Sequence, residues 1–432
     1  MRLIVLIDGE HHPVAVRSAL ASMPDDDIVG AVFCGGMEKV DPSRLDDTYG
    51  VPVIRDVDVA EALRQGIDRW KPDAVLDLTD QPVLGPEDRF RLASIAIARG
   101  VTYRGADFEL RARTYMRIVT KPSVRVFATG KRTGKTAVAS ALARYAVEHG
   151  RDPLIVAVGR GGPEPPRVIE AHTYLDAKVL LELSDAGFHA GSDYVEDAMT
   201  SGVTTIGCVR VGGGLAGATV YSNVHDAALI AEERPEDLVI FEGSGASFPD
   251  IEVSAGIICI PADVAASDLT GFLGPSRLLL ADLAIVTMAE EGSAAATTHD
   301  LILGTVPGID VISVIFRPEP LQPVAGRRVF FCCTASSEAG GVLKEHLERV
   351  HGCEVVGMSH RLSDRRTLRE ELRNAPDYDV LLTELKAGAV DVAVREGVTR
   401  GKEIVFVNNV LVGTGIEEAF GRVLDLAAQG RR

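Results

Sequence analysis

The octapeptide Thr129-Gly130-Lys131-Arg132-Thr133-Gly134-Lys135-Thr136 gathers two lysines, an arginine and three hydroxyls on a short glycine-bearing stretch. It stands between an apolar run, Val124 to Ala128, and a segment of helical periodicity, Ala137 to Glu148. That is where the phosphate-loop spacing G-x-x-x-x-G-K-S/T belongs. Residues Thr129 to Ala137 are therefore expected to bind ATP: backbone N–H groups and the helix end cradle the β- and γ-phosphates, Lys135 and Lys131 supply charge, and the Thr136 hydroxyl meets Mg²⁺. Thr129 departs from the motif, which begins with glycine, and a threonine there calls for a permissive backbone angle.

A second element supplies the carboxylate such chemistry needs. Asp237 to Gly245 reads as an apolar strand ending in Glu242 and a glycine-rich turn, so Glu242 is expected to be the second Mg²⁺ partner. Two more loops pair arginine with exposed backbone: Arg160-Gly161-Gly162, and Arg210 with Gly212, Gly213 and Gly214. Loops after successive parallel strands line one crevice, so Arg160, Gly161, Arg210, Gly213 and Gly214 are candidate contacts for an anionic substrate, Arg160 and Arg210 also for catalysis. Between them Gly191 to Asp197 is acidic; Ser192 or Asp193 is expected to cap a helix, Asp193, Glu196 and Asp197 are candidates for catalysis or metal, and Asp193 is also a candidate substrate contact. His11 and His12, after the first strand, and Lys386, after a late one, complete the set of candidate substrate contacts.

These residues must be positioned by strands that alternate with helices. Leu3 to Ile7, Ile28 to Phe33, Val51 to Ile54, Ala74 to Leu78 and Val101 to Tyr103 are short apolar runs separated by helix-like stretches at Ala60 to Trp70 and Glu87 to Ala98. That pattern implies a doubly wound first domain, residues 1–122, with Arg111 to Pro122 as a connection. A phosphate-loop domain with a central parallel sheet follows over 123–322, its strands expected at Val124, Leu154, Thr204, Leu238, Gly256, Leu283 and at Val311 to Phe316. Arg317-Pro318-Glu319-Pro320 reads as a break before a smaller α/β region, 323–432. The fold class is thus multidomain α/β.

Composition narrows the partners. A formal charge of -17 disfavours the phosphate-neutralising surface of a nucleic-acid binder. The six cysteines have no metal-ligand spacing and suit a reducing compartment, no apolar stretch is long enough for a membrane span, and the chain starts directly in a strand, so a cytoplasmic location is expected. Homodimerisation stays open.

Together the segments LIDGEHHPV, ATGKRTGKTAV, VGRGGPEPP, GSDYVEDA, VRVGGGLAG, FEGSGASFP, FRPEP and TELKAGAVDVA resemble the cyclic 2,3-diphosphoglycerate synthetases over nearly the whole chain. The phosphate loop and the Phe-Glu-Gly-Ser-Gly turn are also similar to dethiobiotin synthetase and its relatives. The resemblance implies an ATP-dependent ligase that phosphorylates one phosphate of 2,3-diphosphoglycerate and closes an intramolecular anhydride, releasing ADP and phosphate. Another acid-activating ligase of the dethiobiotin synthetase type, or a nucleotide-switch ATPase, are the alternative readings.

Overall fold

The computed structural model describes residues 1–41 and 43–430. The chain forms two compact units, one of Met1–Tyr115 with Val264–Ala281 and Asp300–Gly308, the other of Met116–Asp263 with Asp282–His299 and Ile309–Arg432.

The first unit is built on six strands, β1 (Arg2–Ile7), β2 (Asp27–Phe33), β3 (Val53–Ile54), β4 (Ala74–Asp77), β5 (Thr102–Arg104) and β6 (Glu109–Leu110). Their order is β3-β2-β1-β4-β5-β6, parallel except for the final β5–β6 pair. Chain direction across the sheet reverses between β1 and β4, which makes this a doubly wound sheet as the alternation of runs implies. Leu3, Ile4, Val5 and Leu6 have no exposed surface, the condition of a parallel strand covered on both faces.

The second unit holds two sheets. Nine strands form the larger: β7 (Ser123–Ala128), β8 (Pro153–Gly159), β9 (Arg167–Ile169), β10 (Thr204–Val211), β11 (Tyr221–Ser222), β12 (Leu238–Glu242), β13 (Ala255–Pro261), β14 (Leu283–Thr287) and β15 (Asp310–Ser313). The main path runs β11-β10-β8-β12-β7-β13-β14-β15, with β9 added on β10. β8, β12, β7, β13, β14 and β15 are parallel, and only the short β9 and β11 pair antiparallel. β7, β8 and β12 are buried along their whole length. Long apolar runs in the sequence are therefore the central strands, and their carboxyl ends all open on one edge.

The smaller sheet is β16 (Ile315–Pro320), β20 (Glu403–Val412), β19 (Val380–Glu384), β17 (Arg328–Cys332) and β18 (Glu354–Ser359), in that spatial order. Here the sequence reading needs two corrections. The run expected as one strand from Val311 to Phe316 is split, β15 ending the large sheet and β16 beginning the small one. Arg317-Pro318-Glu319-Pro320 is no break but the body of β16, antiparallel to β20. Two prolines are tolerated because β16 is an edge strand, where a missing N–H need not interrupt a ladder.

Candidate functional site

Between β7 and the helix Lys135–Glu148 the loop turns on two left-handed residues, Arg132 at φ 61° and Gly134 at φ 85°. Thr129 is not among the residues with positive φ, so the strain foreseen there falls on Arg132 instead. Gly134 is needed twice over: a Cβ would also lie 2.1 Å from Phe316 of β16. The Lys135 ammonium donates to Gly130 O at 2.8 Å and to Thr133 Oγ1 at 3.2 Å, which bends it back over its own loop. Burial pulls its pKa down, against the opposing charge of Glu242.

β12 lies beside β7, and this adjacency delivers Glu242 to the helix start. The Thr136 hydroxyl donates to Glu242 Oε1 at 2.8 Å. One helical turn pattern places a second carboxylate nearby: Asp197, on the helix Asp193–Ser201, accepts from Ser140 Oγ at 3.1 Å. Neither Glu242 Oε2 nor Asp197 Oδ2 meets a nitrogen or hydroxyl donor among the described residues, and the two carboxyl groups hydrogen-bond each other. Burial and the charge of Asp193 push Glu242 up to about 7, and burial beside Glu242 raises Asp197 well above the ordinary carboxylate range. Two buried carboxyl groups that share a proton beside a hydroxyl are a donor set that a hard cation or its waters can take over as the proton leaves.

These groups open on a cavity of about 1030 Å³ in the second unit. Its walls include Lys131 to Ala137, Arg160, Gly161, Asp193, Glu242 and Lys386, so most of the residues singled out from sequence meet in one place. Lys386, on the loop after β19, pairs with Glu196 at 3.0 Å instead of standing free in solvent. Arg210 is buried and does not line this cavity: its Nη1 donates to Gly212 O at 2.5 Å and its Nη2 to Ser244 O at 2.6 Å. It holds the turn after β12, and through that turn it neighbours Arg160; a Cβ on Gly245 would stand 2.3 Å from Arg160 Nη2 and 3.1 Å from Arg210 Nη2. Gly213 and Gly214 sit on the exposed β10–β11 turn, away from the cavity lining.

His11 and His12 belong to the first unit. His11 Nδ1 contacts the buried Asp8 carboxylate at 2.9 Å, and His12 caps the helix Pro13–Ala21, its Nδ1 accepting from Val14 N at 3.3 Å. Ser192 occupies the N-cap position of the helix Asp193–Ser201 but its hydroxyl makes no capping bond, contrary to the expectation from sequence.

Several wall residues were not singled out individually from the sequence. Glu384, at the end of β19, accepts from Thr334 N at 2.8 Å, Thr334 Oγ1 at 2.7 Å and Asn409 Nδ2 at 2.9 Å. Phe316 and Pro318 reach the cavity because β16 is a strand.

An α/β fold in which a strand–loop–helix with this lysine and threonine faces a carboxylate from the neighbouring strand defines a phosphate-loop nucleotide-binding enzyme. Three family models account for nearly all the chain: the N-terminal domain of cyclic 2,3-diphosphoglycerate synthetase at residues 2–111, its P-loop domain at 123–315 and its C-terminal domain at 320–410. The chain belongs to the cyclic 2,3-diphosphoglycerate synthetase family. The cyclic 2,3-diphosphoglycerate synthetase of Rubrobacter xylanophilus is 41% identical over 439 residues, spanning 100% of this chain and 99% of that protein. That of Methanothermus fervidus is 39% identical over 440 residues, 98% and 95% respectively. Among solved structures, "apo" form LpxK from Aquifex aeolicus in complex with ATP aligns with 72% of this chain and 90% of its own at 12% identity, with a TM-score of 0.43. Among the described residues no helix is long and apolar enough to cross a membrane.

Proposed function

We propose that the chain is an ATP-dependent ligase that closes 2,3-diphosphoglycerate into its cyclic phosphoanhydride. The observation that carries the reading is the meeting, on one cavity, of Lys135 and the loop amides with Arg160 and with the Thr136–Glu242 pair. In the reaction an oxygen of one substrate phosphate attacks the γ-phosphorus of ATP, the bond from γ-phosphorus to the β,γ-bridging oxygen breaks, and ADP leaves. An oxygen of the second substrate phosphate then attacks the phosphorus so activated and expels inorganic phosphate.

Every participant is a polyanion, so the protein's contribution is charge neutralisation and alignment. Lys135 and Lys131 neutralise the transferred phosphoryl group, and Arg160 holds the acid substrate. Arg210 acts at one remove, through the Ser244 carbonyl and the turn that seats Arg160. Glu242 Oε2, which no nitrogen or hydroxyl donor occupies among the described residues, fits a divalent cation, and Mg²⁺ held by Thr136 and Glu242 would neutralise β- and γ-phosphate oxygens. Six free, buried cysteines and a net charge of -17 favour a cytoplasmic small-molecule enzyme over a nucleic-acid or secreted role. Exposed Val211, Leu215 and Val220 around the β10–β11 turn suit self-association as a homodimer, which sedimentation tests directly.

Phosphorus NMR of the purified protein with ATP, Mg²⁺ and 2,3-diphosphoglycerate tests the reaction. One cyclic product, one ADP and one phosphate per turnover are expected. ADP formed without ring closure, or no ADP with this acid, would overturn the substrate assignment in favour of another ligase or a switch ATPase.

A further inference from the structure

His189 is the one histidine on the cavity wall among the described residues. It is exposed, on the loop between the helix Ala177–Asp185 and the helix Asp193–Ser201. Two glycines let its ring in: a Cβ on Gly161 would stand 2.6 Å from His189 Cδ2, and one on Gly191 would stand 3.9 Å from its Cε1. Neither ring nitrogen hydrogen-bonds a described residue. Gly161 follows Arg160, whose guanidinium likewise makes no hydrogen bond or ion pair with a described residue and lies over the turn after β12, Nη2 being 2.3 Å from where a Gly245 Cβ would stand. An uncommitted cation and an uncommitted imidazole are thus carried by or packed on one loop, both on the wall of the cavity.

The second step of the ligase reaction needs what an imidazole supplies. When the second substrate phosphate attacks, the bond from the activated phosphorus to the oxygen bridging it to the former γ-phosphorus breaks, and that oxygen leaves with the electron pair. With every phosphate ionised the expelled group is a phosphate trianion; one proton delivered to the bridging oxygen lets it leave as the dianion. Histidine is the side chain that ordinarily carries a proton near neutrality. Other titratable groups on the wall are engaged elsewhere. Glu384 accepts from Thr334 and Asn409, Lys386 is paired with Glu196, and Glu242 accepts from Thr136.

We propose that His189 is the general acid of ring closure: its imidazolium protonates the bridging oxygen as the bond to the activated phosphorus breaks, and solvent recharges the neutral ring. This rests on the ligase reading above and concerns its second step alone. The charges around the ring come from Arg160 on the loop after β8, Arg167 of β9 stacked on the adjoining Phe188, Asp193 at the start of the following helix, and the Lys386–Glu196 pair with Glu384 beyond it. The arginines disfavour the imidazolium and Asp193 favours it; a bound polyphosphate adds negative charge, so substrate binding loads the proton.

Single-turnover reactions with ATP, Mg²⁺ and 2,3-diphosphoglycerate separate the two steps, ADP and cyclic product being followed for wild type, His189→Gln and His189→Ala from mildly acidic to alkaline pH. Glutamine keeps a polar side chain but carries no proton. In His189→Gln, ADP should form at the wild-type rate, the open phosphorylated acid should accumulate, and ring closure should slow about 10²-fold or more, the scale of losing one positioned acid. The fall of the wild-type ring-closure rate toward alkaline pH should be absent from that variant, and imidazole in the buffer should restore part of the rate of His189→Ala. If His189→Gln closes the ring like wild type, or slows both steps equally with the pH profile unmoved, His189 is no general acid. Wild type that forms no cyclic product from this acid would instead overturn the ligase reading.

Discussion

The Thr136 hydroxyl donates to Glu242 Oε1 at 2.8 Å, joining the first turn of the phosphate-loop helix to the end of the next strand in the sheet. The pairing follows from register: β12 runs parallel to β7 with Glu242 beside Val126, so the carboxylate emerges level with the loop. Glu242→Gln keeps the volume and one acceptor but removes the charge a divalent cation needs. Turnover is expected to fall by about 10²–10³-fold, the scale of losing one preorganised electrostatic partner. Titrating ADP release against Mg²⁺ checks it: half-saturation should move to higher Mg²⁺, and an unmoved titration would remove Glu242 from the cation site.

Gly134 faces Phe316 across the boundary of the two sheets in the second unit. With φ at 85° and only 2.1 Å from a would-be Cβ to the Phe316 ring, Gly134→Ala meets both backbone strain and a clash. The left-handed conformation alone costs about 1–2 kcal/mol. Chemical denaturation should show destabilisation beyond that figure, and the double variant Gly134→Ala with Phe316→Leu should recover part of it. No recovery would mean that the aromatic ring yields freely and that conformation accounts for the whole effect.

Arg160 and Arg210 were equivalent in sequence, each an arginine beside glycines after a strand. In the structure they diverge, because Arg160 lines the cavity while Arg210 is buried with its guanidinium on two backbone carbonyls. Arg160→Ala is expected to raise KM for the acid substrate about tenfold or more, with melting temperature preserved. Arg210→Ala leaves the buried Ser244 carbonyl without its donor, at about 1–3 kcal/mol, and should lower the melting temperature first. Equal effects of both variants on KM and on stability would contradict this division.

The same contrast marks what could be read in advance. The phosphate loop, Glu242 and the central strands were legible because local spacing and continuous apolar runs carry them: β7, β8 and β12 are buried end to end. Glu384, Asn409 and Phe316 were not, since they reach the cavity only through pairing between strands distant in sequence, β16 on β20 and β19 on β20. His12 shows the reverse case, where the local role is visible only in the fold. Its ring accepts from Val14 N as the cap of the helix Pro13–Ala21.

Glu196 is the group whose pH response the structure defines most clearly. It is buried, one lysine faces it, and Asp193 and Glu384 add like charge, so burial outweighs Lys386 and pushes its carboxyl up to about 8. Between its unfolded value of about 4.3 and about 8 the folded state holds a proton that the unfolded chain releases. This group therefore favours folding below the unfolded pKa and loses that contribution as pH rises toward 8, beyond which the dependence levels off. Glu196→Gln has no such proton to lose. Urea denaturation of both proteins at pH 5 and pH 8 should show the wild type losing more stability than the variant over that interval. Parallel pH profiles would mean that Lys386 keeps Glu196 ionised throughout. Lys386→Met should then be compared at pH 8, where removing the cation leaves buried carboxylates without a counter-charge and costs about 3–5 kcal/mol.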